Sequence, residues 1–254
     1  NYLSFQAPDT LAADVNYTLP TAAPTANGQV LSSTTAGVLS WATDSLPDAS
    51  VTAAKIASGL KLVTTDAQNN TVAGTNAGDS FNGTNANRNT LFGYDAGTAI
   101  TDGDFNTALG AYSLSANTTA TLNTAVGDSS LKVNTTGSRN SALGQSALSA
   151  NTTGNDCVAV GERALKYNTT ASNNTALGAS ALKANTTGAE NTALGTFALD
   201  ANTTASYNTA IGSAALSGNT TGEKNTSIGD QSLEANTTGG HNVAVGREAL
   251  TTNT

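Results

Sequence analysis

Side chains suited to catalysis or metal binding are few in this chain, and they are scattered. His241 is the only imidazole and Cys157 the only thiol among 254 residues. A nucleophile needs a base within hydrogen-bond reach, and nothing in the sequence brings these two together. The 18 acidic residues contain no D-x-D-x-D-G run of the kind that wraps calcium. Nor do they form the G-G-x-G-x-D nonapeptide of calcium-binding β-rolls. No carboxylate pair stands out as a candidate for glycoside hydrolysis. His241 therefore reads as an exposed residue and Cys157 as a drifted position in a repeat. The chain is not expected to be an enzyme, and no cofactor or metal is expected.

One polar pattern does recur. Asn-Thr-Thr appears eight times in a single column, at Asn117, Asn134, Asn151, Asn168, Asn185, Asn202, Asn219 and Asn236. In a eukaryotic secretory protein, N-x-T is a glycan acceptor. Stacked Asn amides can also hydrogen-bond from rung to rung, and that ladder is the expectation here.

These motifs sit in a strict repeat. From Asn106 the chain divides at a constant period into units starting at Asn123, Asn140, Cys157, Asn174, Asn191, Asn208, Asn225 and Asn242, with no insertion or deletion. Their pattern is N-T-A-(L/V/I)-G-x-x-(A/S)-L-x-A-N-T-T-(G/A)-x-x. Position five is Gly throughout, as in Gly110, Gly127 and Gly144. Position nine is always Leu: Leu114, Leu131, Leu148, Leu165, Leu182, Leu199, Leu216, Leu233 and Leu250. Looser copies begin at Asn70 and Asn89.

The aliphatic residues at positions four and nine are expected to face a shared interior. Charged residues gather at the variable positions six, seven, ten, sixteen and seventeen, which are expected to face water. Gly or Ala at position fifteen suggests a tight turn or a crowded contact. A 17-residue unit with two buried aliphatic side chains cannot offset the entropy of its own ordering. Coils must therefore stack into a solenoid. Positions one to four read as a short strand. Positions six to eleven, as in Glu162-Arg163-Ala164-Leu165-Lys166-Tyr167, are rich in helix formers and read as a short helical turn, with a second strand as the alternative.

The expected architecture is thus a repeat solenoid of β-roll-like 17-residue coils. Residues 106–254 hold nine repeats, and residues 70–105 hold irregular ones. Residues 45–69 form a connector in which V-T-A-A-K-I-A suits a short helix. Residues 1–44 form a small β module. There, Leu3, Phe5, Val15, Tyr17 and Leu19 alternate, and the stretches around Gln29-Val30-Leu31 and Leu39-Ser40-Trp41 read as strands flanking a turn.

Composition narrows the partners. Charged residues make up 11% of the chain, aromatics 5%, and the net charge is −8. With no basic run, nucleic acid is not an expected partner. No apolar stretch approaches the roughly 20 residues of a membrane-spanning helix. The start at Asn1, without Met or a leader, leads us to expect a fragment or a processed form.

N-V-A-V-G at Asn242 and N-T-A-I-G at Asn208 resemble the head repeats of trimeric autotransporter adhesins. That resemblance implies left-handed parallel β-rolls that trimerise. The adhesin repeats are shorter and lack the A-L-x-A-N-T-T segment. The full 17-residue pattern is more similar to repeat tracts of phage tail fibres. The opening A-P-D-T-L-A-A-D-V-N-Y-T-L-P and G-Q-V-L-S-S-T-T-A-G-V-L-S-W looks like a module common in those fibres. The resemblance implies a parallel homotrimeric fibre segment of a phage tail fibre or similar virion appendage, acting as a shaft and in host attachment. Its implied partners are further copies of itself, other virion or fibre proteins, and a host surface receptor or glycan. The implied location is the virion or a cell surface. The alternatives are a bacterial trimeric surface adhesin and, from another class, an ice-binding solenoid, for which a flat, exposed, charge-free Thr face would be the sign. Tyr112, Tyr167, Phe197 and Tyr207 are spread over distant coils without forming a patch, so coils 106–254 are expected to act as a spacer.

Overall fold

The computed structural model describes residues 29–33, 39–43, 64–81 and 85–252. The chain divides into two compact units, Asn1–Ser58 and Gly59–Thr254. In the first, β1 (Gln29–Ser33) and β2 (Leu39–Thr43) pair as an antiparallel hairpin, with Leu31 opposite Trp41. The alternation at Leu3, Phe5, Val15, Tyr17 and Leu19 and the helix expected in V-T-A-A-K-I-A lie outside the described residues.

The second unit is a parallel β-solenoid. Its strands are β3 (Thr64–Thr65), β4 (Thr71–Ala73), β5 (Thr90–Phe92), β6 (Thr107–Leu109), β7 (Thr124–Val126), β8 (Ser141–Leu143) and β9 (Val158–Val160). They continue with β10 (Thr175–Leu177), β11 (Thr192–Leu194), β12 (Thr209–Ile211), β13 (Thr226–Ile228) and β14 (Val243–Val245). β4 to β14 stack in chain order, all parallel, and β3 covers the edge of β4 antiparallel. From β5 onward each residue pairs with its counterpart one unit further on, as Thr107 does with Thr124 and Ala108 with Ala125. Ten steps of about 4.8 Å carry this sheet over about 48 Å.

The strand is short because Gly at position five ends it. Gly110, Gly127 and Gly144 have φ of 137°, 127° and 132°, a region open to Gly and strained for other residues. Space forbids a side chain as well: a Cβ on Gly144 would stand 2.6 Å from the Gly161 carbonyl oxygen. Consecutive coils therefore touch backbone to backbone at this corner.

Positions six to eleven form neither a helix nor a second strand, and no helix occurs among the described residues. The chain instead turns through left-handed conformations at positions seven and nine, with φ of 58° at Tyr112 and 50° at Leu114. Hydrogen bonding explains why helix propensity loses. The Leu131 N–H donates to the Ala147 carbonyl of the next coil at 3.0 Å, and the Leu148 N–H to Ala164 at 3.0 Å. A helix would turn these groups inward along its own axis and forfeit the bonds between coils. Each left-handed non-glycine residue costs roughly 1 kcal/mol, a cost the intercoil bonds offset at every rung.

The core also differs from expectation. Position nine is inside: from Leu114 to Leu233 the leucines are completely buried, while Leu250, in the last described coil, is 51% exposed. Position four is outside, with Leu109 51% and Leu143 50% exposed. Position three faces inward instead, with Ala108, Ala125, Ala159, Ala176 and Ala193 fully buried. The two faces of a strand alternate, so burying position three must expose positions two and four. The interior is narrow: one Leu per coil is buried together with small residues, Ala or Ser, at positions three and eight, leaving no room for a second large side chain. Leu182→Ala should therefore cost about 2–5 kcal/mol through the cavity it opens. Thr196→Ala at exposed position six should stay within about 0.5 kcal/mol. Thermal melting of the two variants checks the difference; equal melting temperatures would contradict this placement of the core.

Candidate functional site

Two Asn columns brace each coil from within, and their order determines which surfaces remain for function. In the column at position twelve, Asn134 Nδ2 donates to Asn117 Oδ1 at 3.1 Å and to the Gly137 carbonyl at 2.8 Å. Asn151 repeats this with Asn134 at 2.8 Å and Gly154 at 3.0 Å. Both amide hydrogens are thus used, and Asn117, Asn134, Asn151 and their successors to Asn236 are fully buried. That burial leaves these side chains no room for a glycan. The second column, at position one, was not legible as a ladder in the sequence, although Asn recurs there at every unit start but one. Asn106 Oδ1 accepts the Asn123 backbone N–H at 3.0 Å, while Asn123 Nδ2 donates to the Gly137 carbonyl at 2.9 Å. The carbonyl of position fifteen is therefore held from both sides of the coil. This crowding fits the limit to Gly or Ala there: where Ala occupies the position, at Ala120, Ala171 and Ala205, it is buried, with no room for a larger side chain.

Cys157 occupies one slot of the position-one column. Its N–H reaches Asn140 Oδ1 at 3.0 Å, and its Sγ rests 3.4 Å from the Ala171 carbonyl. Burial pushes the thiol up to about 11, against a weaker pull from the Asn174 N–H. It stays protonated at neutral pH, unsuited to nucleophilic chemistry. His241 is exposed at position seventeen. Among the described residues no three His, Cys, Asp or Glu side chains cluster as a metal site, and no helix is long and apolar enough to cross a membrane.

What the fold presents outward is regular. Positions two and four of every strand form two parallel columns on one sheet face. The first runs Thr107, Thr124, Ser141, Val158, Thr175, Thr192; the second runs Leu109, Val126, Leu143, Val160, Leu177, Leu194. No charged residue occurs in either column from β4 to β14. Three-residue strands about 10 Å long at about 4.8 Å spacing make a plane of about 500 Å² over eleven strands. Charges border this face. At position seventeen Arg139 and Asp156 pair across one rung at 2.6 Å, both exposed; the contact lowers the Asp156 carboxyl and raises the Arg139 guanidinium. At position six lie Asp128, Glu162 and Asp230. Exposed aromatic rings hold local contacts instead of gathering: Tyr94 meets Tyr112 edge-on at 5.3 Å, and Lys132 lies over Tyr112 at 5.0 Å.

No family model, curated protein or solved structure matches the chain.

The Cys157 slot yields a direct prediction. Asn in that slot would donate to the Ala171 carbonyl and accept from the Asn174 N–H, as at the neighbouring rungs. Cys157→Asn should therefore stabilise the chain by about 1–3 kcal/mol, from two hydrogen bonds. The pH dependence has a definite sign. The folded thiol lies above its ordinary value of 9.0, so the stability tied to the protonated thiol is present below pH 9 and lost as pH rises toward 11. The advantage of Cys157→Asn should widen over that window, as measured by denaturant unfolding. An Asn variant less stable than the parent at pH 7 would contradict the ladder.

Proposed function

We propose that this chain is a structural fibre segment, the shaft of a phage tail fibre or similar virion appendage, and that it works as a parallel homotrimer. The observation that carries this reading is the uncharged Thr and aliphatic face running the length of the sheet. A monomer's largest apolar patch is typically about 300–600 Å² and tends to be functional. Here a plane of that size is built by repetition, with Leu109, Leu143, Leu177 and Leu194 all exposed on it. A second copy of the same rod repeats at the same period and can cover the face continuously, which a globular partner cannot.

The remaining surface suits a spacer. Its charges are mixed in sign, and beyond the Tyr94–Tyr112 pair its exposed aromatics form no patch. Host attachment then falls to other parts of the fibre, and the partners are other fibre proteins together with a host receptor or glycan. A bacterial trimeric surface adhesin would use the same rod in the same way. Nothing in this reading asks the chain to catalyse a reaction.

One observation favours a second reading. The position-two column sets mostly Thr hydroxyls about 4.8 Å apart beside aliphatic side chains, the exposed charge-free pattern expected of an ice-binding solenoid. That reading needs the face to stay open in solution. Light scattering separates the two. A homotrimer has three times the 25.2 kDa mass of one chain. A stable single-chain mass overturns the fibre reading, and thermal hysteresis by that single chain would establish the second.

A further inference from the structure

We infer that the strand face and the face formed by positions fourteen and sixteen are the two unlike halves of one repeated interface, each copy seating its strand face on the Thr ridge of the next. This inference rests on the homotrimer proposed above and names the surfaces that build it.

Symmetry supplies the first step. A ring of three identical chains closes through heterologous contacts, so each chain must offer two different patches. The strand face is one. The other must recur once per coil, be exposed, and carry little charge, since an unpaired charge buried against the aliphatic column is costly. The turn side fails this test: positions six, seven and ten hold Glu162, Arg163, Lys166, Lys183, Asp230 and Arg247. Position seventeen fails it too, with Arg139, Asp156, Glu190 and Lys224. Position fourteen passes, and position sixteen beside it, half-buried in six of eight coils, is nearly free of charge. From Thr119 to Gly240 they hold Thr, Ser, Asn, Ala and Gly, with Glu223 the one charge.

A second observation singles out the same face. Position fourteen is Thr in all eight coils from Thr119 to Thr238, and each of these residues is exposed. Its neighbour at position thirteen has an internal reason to be Thr: the Thr152 hydroxyl donates to the Thr169 carbonyl at 3.0 Å, and Thr169 repeats this with Thr186 at 3.0 Å. The hydroxyl at position fourteen makes no such bond among the described residues. Recent duplication does not account for its constancy, because position sixteen of the same coils has diverged through Thr, Ser, Asn, Ala, Glu and Gly. A preference for β-branched residues does not account for it either, because position two accepts Val158, Val243 and Ser141. A residue held constant, exposed and without an internal bond is explained by a contact outside the chain. The partner that repeats at its own period is another copy. Side-chain relief brings the plane of about 500 Å² toward the roughly 800 Å² per partner of a stable interface, and each copy contributes two such faces.

Two double variants test this in the full chain. Leu177→Lys with Leu194→Lys charges the strand face; Thr187→Lys with Thr204→Lys charges the ridge. All four side chains are exposed, so each protein should fold, as circular dichroism and melting will show. Each alone should lose the three-chain mass and run as a single chain. Mixed in equal amounts at high concentration, they should form a two-chain species with twice the 25.2 kDa mass of one chain. The intact strand face of one then meets the intact ridge of the other, and the ring cannot close. A ridge variant that keeps the three-chain mass overturns this inference and leaves the homotrimer standing, as does a mixture that stays single-chain. A parent protein of single-chain mass overturns both.

Discussion

Everything in the solenoid depends on one constraint: each residue must stand over its counterpart in the next unit, so that every coil is the hydrogen-bonding partner of the one that follows. The Thr124 N–H reaches the Asn140 carbonyl at 2.8 Å and the Gly127 N–H the Leu109 carbonyl at 2.8 Å. These bonds continue around the turns as well as along the strand. Gly at position five follows from this constraint, because the coils meet there through bare backbone. The Asn columns follow from it too. Stacked amides can satisfy each other only when the same side chain returns at the same place, and buried polar groups left unsatisfied would be costly.

The period, the leucine column and the Asn-Thr-Thr column were open to view in the sequence because stacking turns sequence identity into spatial contact. The repeat made position nine recognisable as interior without any knowledge of the coil's shape. Position four misled for a physical reason. It is as consistently aliphatic as position nine, and a single chain read alone gives no reason to put Leu109 or Leu143 in water. Only the alternation of the strand about Ala108 and Ala142, both buried, shows that the small residue is the inner one. An aliphatic residue kept on an outer surface rung after rung then becomes information about what lies outside the chain.

The helical reading of positions six to eleven failed by the same logic. Glu162-Arg163-Ala164-Leu165 has the propensity of a helix, but propensity is a preference of fractions of a kcal/mol per residue. The competing geometry gives the Arg163 and Leu165 amides partners in the neighbouring coils and buries Leu165 completely. Left-handed turns at Arg163 and Leu165 are not signalled by residue type, since neither is a glycine or an asparagine. The candidate site was partly legible. The charge-free columns are present in the sequence, but their exposure depends on the strand's facing, which emerged only with the fold.

That one 17-residue unit makes one rung of the stack is tested most directly by changing the number of rungs. Small-angle X-ray scattering can compare the parent chain with a form lacking two whole units, residues 174–207. The stack predicts a maximum dimension shorter by about 10 Å, two rises of about 4.8 Å, with the cross-section unchanged and melting still cooperative. An unchanged length, or a cross-section that widens as the units are removed, would mean that the coils do not stack one per repeat.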